Sequence, residues 1–221
     1  MMNYIFDIDG TLWDTTGIVA EAWNDATADV GLGDVLGRFV TADMLKKEFG
    51  KPMDVIIDDL YPGQDDEKKS ELMVSIKQRE QERVGGCAED LSYPEVAVTL
   101  RKLSEENRLY IVSNCQDGYI PLVMAKLGIE DLISDYESFG ATGLLKADNI
   151  RLVISRNGLN DEETCYIGDT RGDYESATEA GITFIYAAYG FGDDKPVPGY
   201  NGLTVSSFPE LSEICLEKEN R

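Results

Sequence analysis

Stretches that read as strands alternate with stretches that read as helices along most of this chain, and that alternation constrains its fold more than any other feature. Apolar runs at 3–8, 109–112, 164–167 and 182–187 are bounded by turn residues, while 120–127, 147–157 and 173–180 carry helical spacing between them. An apolar run stopped by turn residues reads as a buried strand, and strands separated by helices pair in parallel through crossovers that put helices on both faces. The prediction is a Rossmann-like α/β core of three layers around a mostly parallel sheet.

Behind the first run, Ile18, Ala22, Ala26 and Val30 recur every four residues with Val19 and Trp23 beside them. That spacing predicts an amphipathic helix, capped by Asp14, Thr15 or Thr16 and stopped at Gly31. From about Thr41 to Val84 the pattern stays helical, broken at Gly50-Lys51-Pro52 and Tyr61-Pro62-Gly63-Gln64, with no strand among the pieces. We therefore expect a core domain of residues 1–15 and 89–221, with a small all-helical domain, 16–88, inserted into it. The terminal EKENR is expected to be a frayed helix end.

Composition narrows the chemistry. Forty-two acidic residues against twenty basic ones give a formal net charge of −22, a field that repels polyanions, so no nucleic-acid partner is expected. No stretch approaches the roughly 20 apolar residues of a membrane span, and MMNYIFDIDG does not read as a signal peptide. Cys87, Cys115, Cys165 and Cys215 show no C-x-x-C spacing, which fits a reducing cytoplasmic setting better than a metal site or a disulfide framework. The chain has no histidine, which removes Ser-His-Asp and Cys-His catalysis, the usual zinc sites and any imidazole base. Chemistry must rest on carboxylates, lysine or a metal bound by oxygen.

In an open parallel sheet the reactive groups sit beyond the carboxyl ends of the strands. Asp7, Asp9, Gly10 and Thr11 follow the first run, Ser113 and Asn114 the second, and Gly168, Asp169 and Asp173 the third. On a straight strand Asp7 and Asp9 point the same way with Ile8 opposite. Like charges that close require a cation or a proton between them, and hard oxygen ligands suit Mg²⁺. Adding Asp169 and Asp173 makes four acids that no apolar core tolerates unpaired. Blander readings compete at each position: a turn after a strand for Asp7, Asp9, Ser113 and Asn114, helix N-capping for Asp169 and Asp173, a solvated Lys146, and a small buried thiol at Cys115.

FDIDGTLWDT at 6–15 resembles the first motif of the haloacid dehalogenase superfamily, and VSN at 112–114, Lys146 and GDTRGD at 168–173 resemble the second, third and fourth motifs in the same order. The resemblance implies that Asp7 is the nucleophile, forming an aspartyl-phosphate, and that Asp9 protonates the leaving group and then activates water. It also implies that Ser113, Asn114 and Lys146 bind phosphate. Mg²⁺ would be held by Asp7, the backbone carbonyl of Asp9, and Asp169, with Asp173 acting directly or through water. Lys146 is followed by Ala147-Asp148, whereas relatives commonly place proline there. The insertion resembles the helical cap of the subfamily containing phosphoglycolate phosphatase and beta-phosphoglucomutase, with hinges near 15–17 and 85–92 at Gly17, Gly85 and Gly86. Lys51 and Arg79 are its candidate substrate contacts. Tyr93-Pro94-Glu95-Val96 resembles the family's Y-P-G-V with Glu95 in the glycine position, and AAYGFG at 187–192 resembles a loop after the fifth core strand.

The function implied is a Mg²⁺-dependent phosphatase acting on a small phosphorylated metabolite, in a monomer or homodimer. A mutase of the beta-phosphoglucomutase type would keep the four motifs, but the cap histidine its relatives use is impossible here. A haloacid dehalogenase proper lacks the second acid of D-x-D. A non-catalytic binding or regulatory module would be expected to have lost the nucleophile.

Overall fold

A computed structural model describes residues 1–33, 39–192 and 199–213; Cys215 and the EKENR terminus lie outside them. The chain divides into two compact units, one made of Met1–Asp14 with Ser92–Arg221 and the other of Thr15–Leu91.

The first unit is built on six strands: β1 (Asn3–Phe6), β2 (Arg108–Ser113), β3 (Ile133–Ser138), β4 (Thr164–Gly168), β5 (Thr183–Ala187) and β6 (Leu203–Val205). Their spatial order is β3-β2-β1-β4-β5-β6, and every pairing is parallel. Every residue of β1 is buried, as expected of a central strand covered on both faces. On one face Ile5, Tyr110, Val112, Tyr166, Phe184 and Tyr186 pack with Ile150, Val153 and Ala177. Chain reversals between strands are made by α5 (Val96–Ser104), α6 (Tyr119–Leu127), α7 (Phe139–Thr142), α8 (Lys146–Asn157) and α9 (Arg171–Ala180).

The second unit holds α1 (Thr16–Asp29), α2 (Ala42–Glu48), α3 (Met53–Leu60) and α4 (Asp66–Gly86). The expected breakers lie between these helices. Thr41 caps α2 by accepting from Met44 N, and Asp65 caps α4 by accepting from Lys68 N at 2.8 Å. Helix α1 packs along α4. Inside this unit the Trp23 ring stacks on Tyr61 at 6.2 Å and its indole N–H donates to the buried Glu80 at 2.5 Å.

Two sequence expectations need correction. The first strand ends at Phe6, not Ile8, because the chain turns immediately: Ile8 O accepts from Thr11 N at 3.0 Å and Leu12 N at 2.7 Å. Two strands escaped notice, β3 and β6, both at sheet edges, where exposed residues break up the apolar run. Gly17 lies in the first turn of α1 and Gly85 and Gly86 end α4, none with positive φ. Cys87, Cys115 and Cys165 are thiols. No helix among the described residues is long and apolar enough to cross a membrane.

Candidate active site

Register brings the site together. Phe6 pairs with Ile111 on one side and Ile167 on the other, so the residues that follow on all three strands emerge at one edge of the sheet. Asp7 N donates to Ile167 O at 2.9 Å, which holds the start of the turn against β4.

Asp7, Asp169 and Asp173 gather there, each with a carboxylate oxygen within 4.8 Å of the others, and none is more than 1% exposed. Lys146, the first residue of α8, reaches into the cluster: Nζ lies 2.5 Å from Asp173 Oδ1 and 3.1 Å from Asp7 Oδ1. Its ammonium also sits 5.7 Å from the centroid of the Tyr166 ring, within cation–π range. A solvated lysine is therefore excluded, even though the proline of relatives is missing.

The carboxylates are held by different means. Asp169 Oδ1 accepts from Thr11 Oγ1 at 3.1 Å and Oδ2 from Phe191 N at 2.7 Å. Asp173 completes a capping box at the start of α9: Thr170 Oγ1 accepts from Asp173 N, and Asp173 Oδ2 accepts from Thr170 N at 2.9 Å. Helix capping and site membership are thus one role for Asp173. Gly10, at φ 85°, and Gly190 both face the Asp169 carboxylate so closely that a Cβ at either position would collide with it.

Burial dominates the electrostatics. Desolvation, opposed by Lys146 and aided by Asp173, pushes Asp7 up to about 6. Asp169 is raised well above the usual carboxylate range by burial and by its two acidic neighbours. For Lys146 burial works against the charge, but Asp173 and Asp7 outweigh it and hold the ammonium above its ordinary value. One lysine leaves three buried carboxylates under-neutralised. That deficit, with hard oxygen donors clustered around it, fits a divalent cation.

Asp9 departs from the straight-strand expectation. Because β1 ends at Phe6, its carboxylate is not part of that cluster; Oδ1 accepts from Trp13 Nε1 at 3.0 Å and from the Tyr119 hydroxyl at 3.0 Å. Ser113 ends β2 and is buried, and its hydroxyl favours the charged form of Asp7; Asn114 follows it, half-buried. Burial first, and the nearby Asp9 and Asp7 charges second, hold the Cys115 thiol protonated, as befits a packing residue. Within the helical unit, Lys51 pairs with Glu48 at 2.6 Å and Asp59 at 2.8 Å, and Arg79 with Asp29 at 2.7 Å and Glu82 at 3.4 Å.

Sequence reading missed Thr11, Trp13, Tyr119 and the Phe191 N–H as partners of these acids, and Tyr166 as the ring beside Lys146. Thr11 and Trp13 stood inside the first motif and carried a signal; a backbone N–H from the 187–192 loop carries none.

Residues 4–187 match the family model of the haloacid dehalogenase-like hydrolases. The chain belongs to this family. A phosphoglycolate phosphatase of Aliivibrio fischeri is 25% identical to this hydrolase over 201 residues, 87% of this chain and 86% of the relative. One from Vibrio vulnificus is 26% identical over 220 residues, 96% of this chain and 94% of the relative. The fold is shared with a haloacid dehalogenase-like family hydrolase from Streptococcus pneumoniae (TM-score 0.82, 20% identity, 97% of this chain and 98% of that one). It is shared too with CbbY from Rhodobacter sphaeroides, solved with xylulose 1,5-bisphosphate (TM-score 0.78, 16% identity, 96% of each chain).

Proposed function

We propose that this haloacid dehalogenase-like hydrolase is a Mg²⁺-dependent phosphatase for a small phosphorylated metabolite, of the phosphoglycolate phosphatase kind, working through an aspartyl-phosphate on Asp7. The coarse class is phosphoric monoester hydrolase, in keeping with the family and with relatives matched over most of their length. The observation that carries the finer reading is the cluster of three buried carboxylates with Lys146 between two of them.

Asp7 attacks phosphorus as the ester P–O bond breaks, and the departing oxygen takes a proton from Asp9. Asp9, now a carboxylate, takes a proton from water as the water oxygen attacks the phosphorus of the aspartyl-phosphate. The P–O bond to Asp7 breaks, inorganic phosphate leaves, and Asp9 has regained its proton. Lys146, Ser113 and Asn114 bind the phosphoryl oxygens. Asp7, Asp169 and the Asp9 carbonyl would hold Mg²⁺, with Asp173 supporting them; when bound, the ion offsets the repulsion between an anionic nucleophile and an anionic ester. The helical unit, with Lys51 and Arg79 on it, is proposed as the cap that sets substrate choice.

Phosphate release is to be measured from phosphoglycolate, sugar phosphates, nucleotides and 4-nitrophenyl phosphate, each with Mg²⁺ and with chelator. Expected is metal-dependent release that falls at least about a thousandfold in Asp7→Asn. Normal turnover in folded Asp7→Asn protein overturns the nucleophile, and undiminished turnover under chelation overturns the metal.

A further inference from the structure

Asp9 is gripped by two donors that no step above uses. The Trp13 indole N–H and the Tyr119 hydroxyl both donate to the same oxygen, Oδ1, at 3.0 Å each. They arrive from separate segments of the same unit. Trp13 closes the turn that follows β1, with Gly10 N donating to its carbonyl at 2.9 Å. Tyr119 opens α6, delivered by a loop whose last residue, Gly118, has φ 82°. The two rings meet edge to face at 5.7 Å, and both are buried, Trp13 at 1% exposure and Tyr119 at 6%. An indole locked by packing, with one donor and no acceptor, can orient a carboxylate but cannot exchange protons with it.

We infer that Trp13 and Tyr119 are positioning residues for the acid–base step, fixing the plane of the Asp9 carboxylate and assigning the transferred proton to Oδ2. A carboxylate oxygen has two lone pairs in its plane, and two donors occupy both on Oδ1, so the proton is carried on Oδ2. In the first half-reaction Oδ2–H protonates the departing oxygen; in the second, Oδ2 takes the proton of the attacking water. The orientation that serves one half then serves the other without a rotation of the side chain. This rests on the reading of Asp9 as acid and base.

The test separates proton delivery from packing. Trp13→Phe and Tyr119→Phe remove one donor each and keep a ring in place. Single-turnover quench-flow would follow alcohol release from the fastest alkyl phosphate of the panel and from 4-nitrophenyl phosphate, whose phenolate leaves without a proton. Each variant is expected to slow alkyl release about tenfold, part of the 10²–10⁴-fold that general acid–base catalysis supplies, with KM changed less than about twofold. Nitrophenolate release should slow by less than about twofold in the same proteins. The double variant should be slower than either single variant and no slower than Asp9→Asn, because both donors act through one carboxylate. Equal slowing of both esters shows a packing role and overturns the inference. So does unchanged alkyl release in the variants when Asp9→Asn slows it. If Asp9→Asn itself leaves alkyl release unchanged, the assignment of Asp9 falls, and the inference falls with it for that separate reason.

Discussion

Asp7 carries a conflict between folding and chemistry that can be measured. Its folded pKa of about 6 lies above the ordinary 3.8, so between those values the folded state binds more protons than the unfolded one. Stability of the metal-free protein therefore falls as pH rises through that window, and the whole effect is present above about pH 6. Asp7→Asn removes the ionisation. With chelator present, urea unfolding should find this variant more stable than the parent at pH 7.5 by about 1–3 kcal/mol, with the gap closing towards pH 4. A gap of the same size at both pH values would show that burial of the charge is not its source. The acids themselves were legible in the sequence, because D-x-D-G-T and GDTRGD place them after strands. Their holders were harder to see, since Tyr119 reaches Asp9 across 110 positions of chain and Phe191 serves Asp169 through its backbone alone.

Among the elements, α5 is preceded by a strained residue. Glu95 is the one non-glycine residue with positive φ among the described residues, at φ 62°, and it stands where the family pattern has glycine. A left-handed residue other than glycine costs about 1–2 kcal/mol, and its side chain is exposed with no capping bond to offset this. Glu95→Gly should raise stability by about 0.5–1 kcal/mol after the extra chain entropy of glycine is subtracted. Glu95→Ala keeps the strain and should not; equal stabilisation by both would place the effect elsewhere. Strand legibility followed burial. Tyr4-Ile5-Phe6 and Leu109 to Val112 are apolar on both faces and announce themselves, whereas Ile133–Ser138 alternates with water and reads as a loop. Lys146 was the harder element-level case: helical spacing at 147–157 announced α8, but nothing in Lys-Ala-Asp says that the side chain opening it is turned inward.

For the molecule as a whole, a formal charge of −22 makes salt and specific metal binding easy to confuse. Self-repulsion is relieved by any electrolyte. Thermal unfolding with Mg²⁺ should therefore be compared with NaCl at matched ionic strength. The expected result is an additional stabilisation by Mg²⁺, about 2.7 kcal/mol at a hundredfold excess over its dissociation constant. It should disappear in Asp169→Asn, and equal shifts in the two salts would remove the cation from the site. The sheet order has one more consequence, for synthesis. β1 lies in the middle of the sheet, yet it pairs with β2 from Arg108 and with β4 from Thr164, and all of Thr15–Leu91 is translated in between. At roughly 5–20 residues per second, the centre of the sheet waits on the order of ten seconds on the ribosome before its first neighbour exists, while the helices beside it in sequence have only one another to fold against. The apolar strand that later carries Asp7 thus spends that interval with its four buried side chains lacking any partner strand.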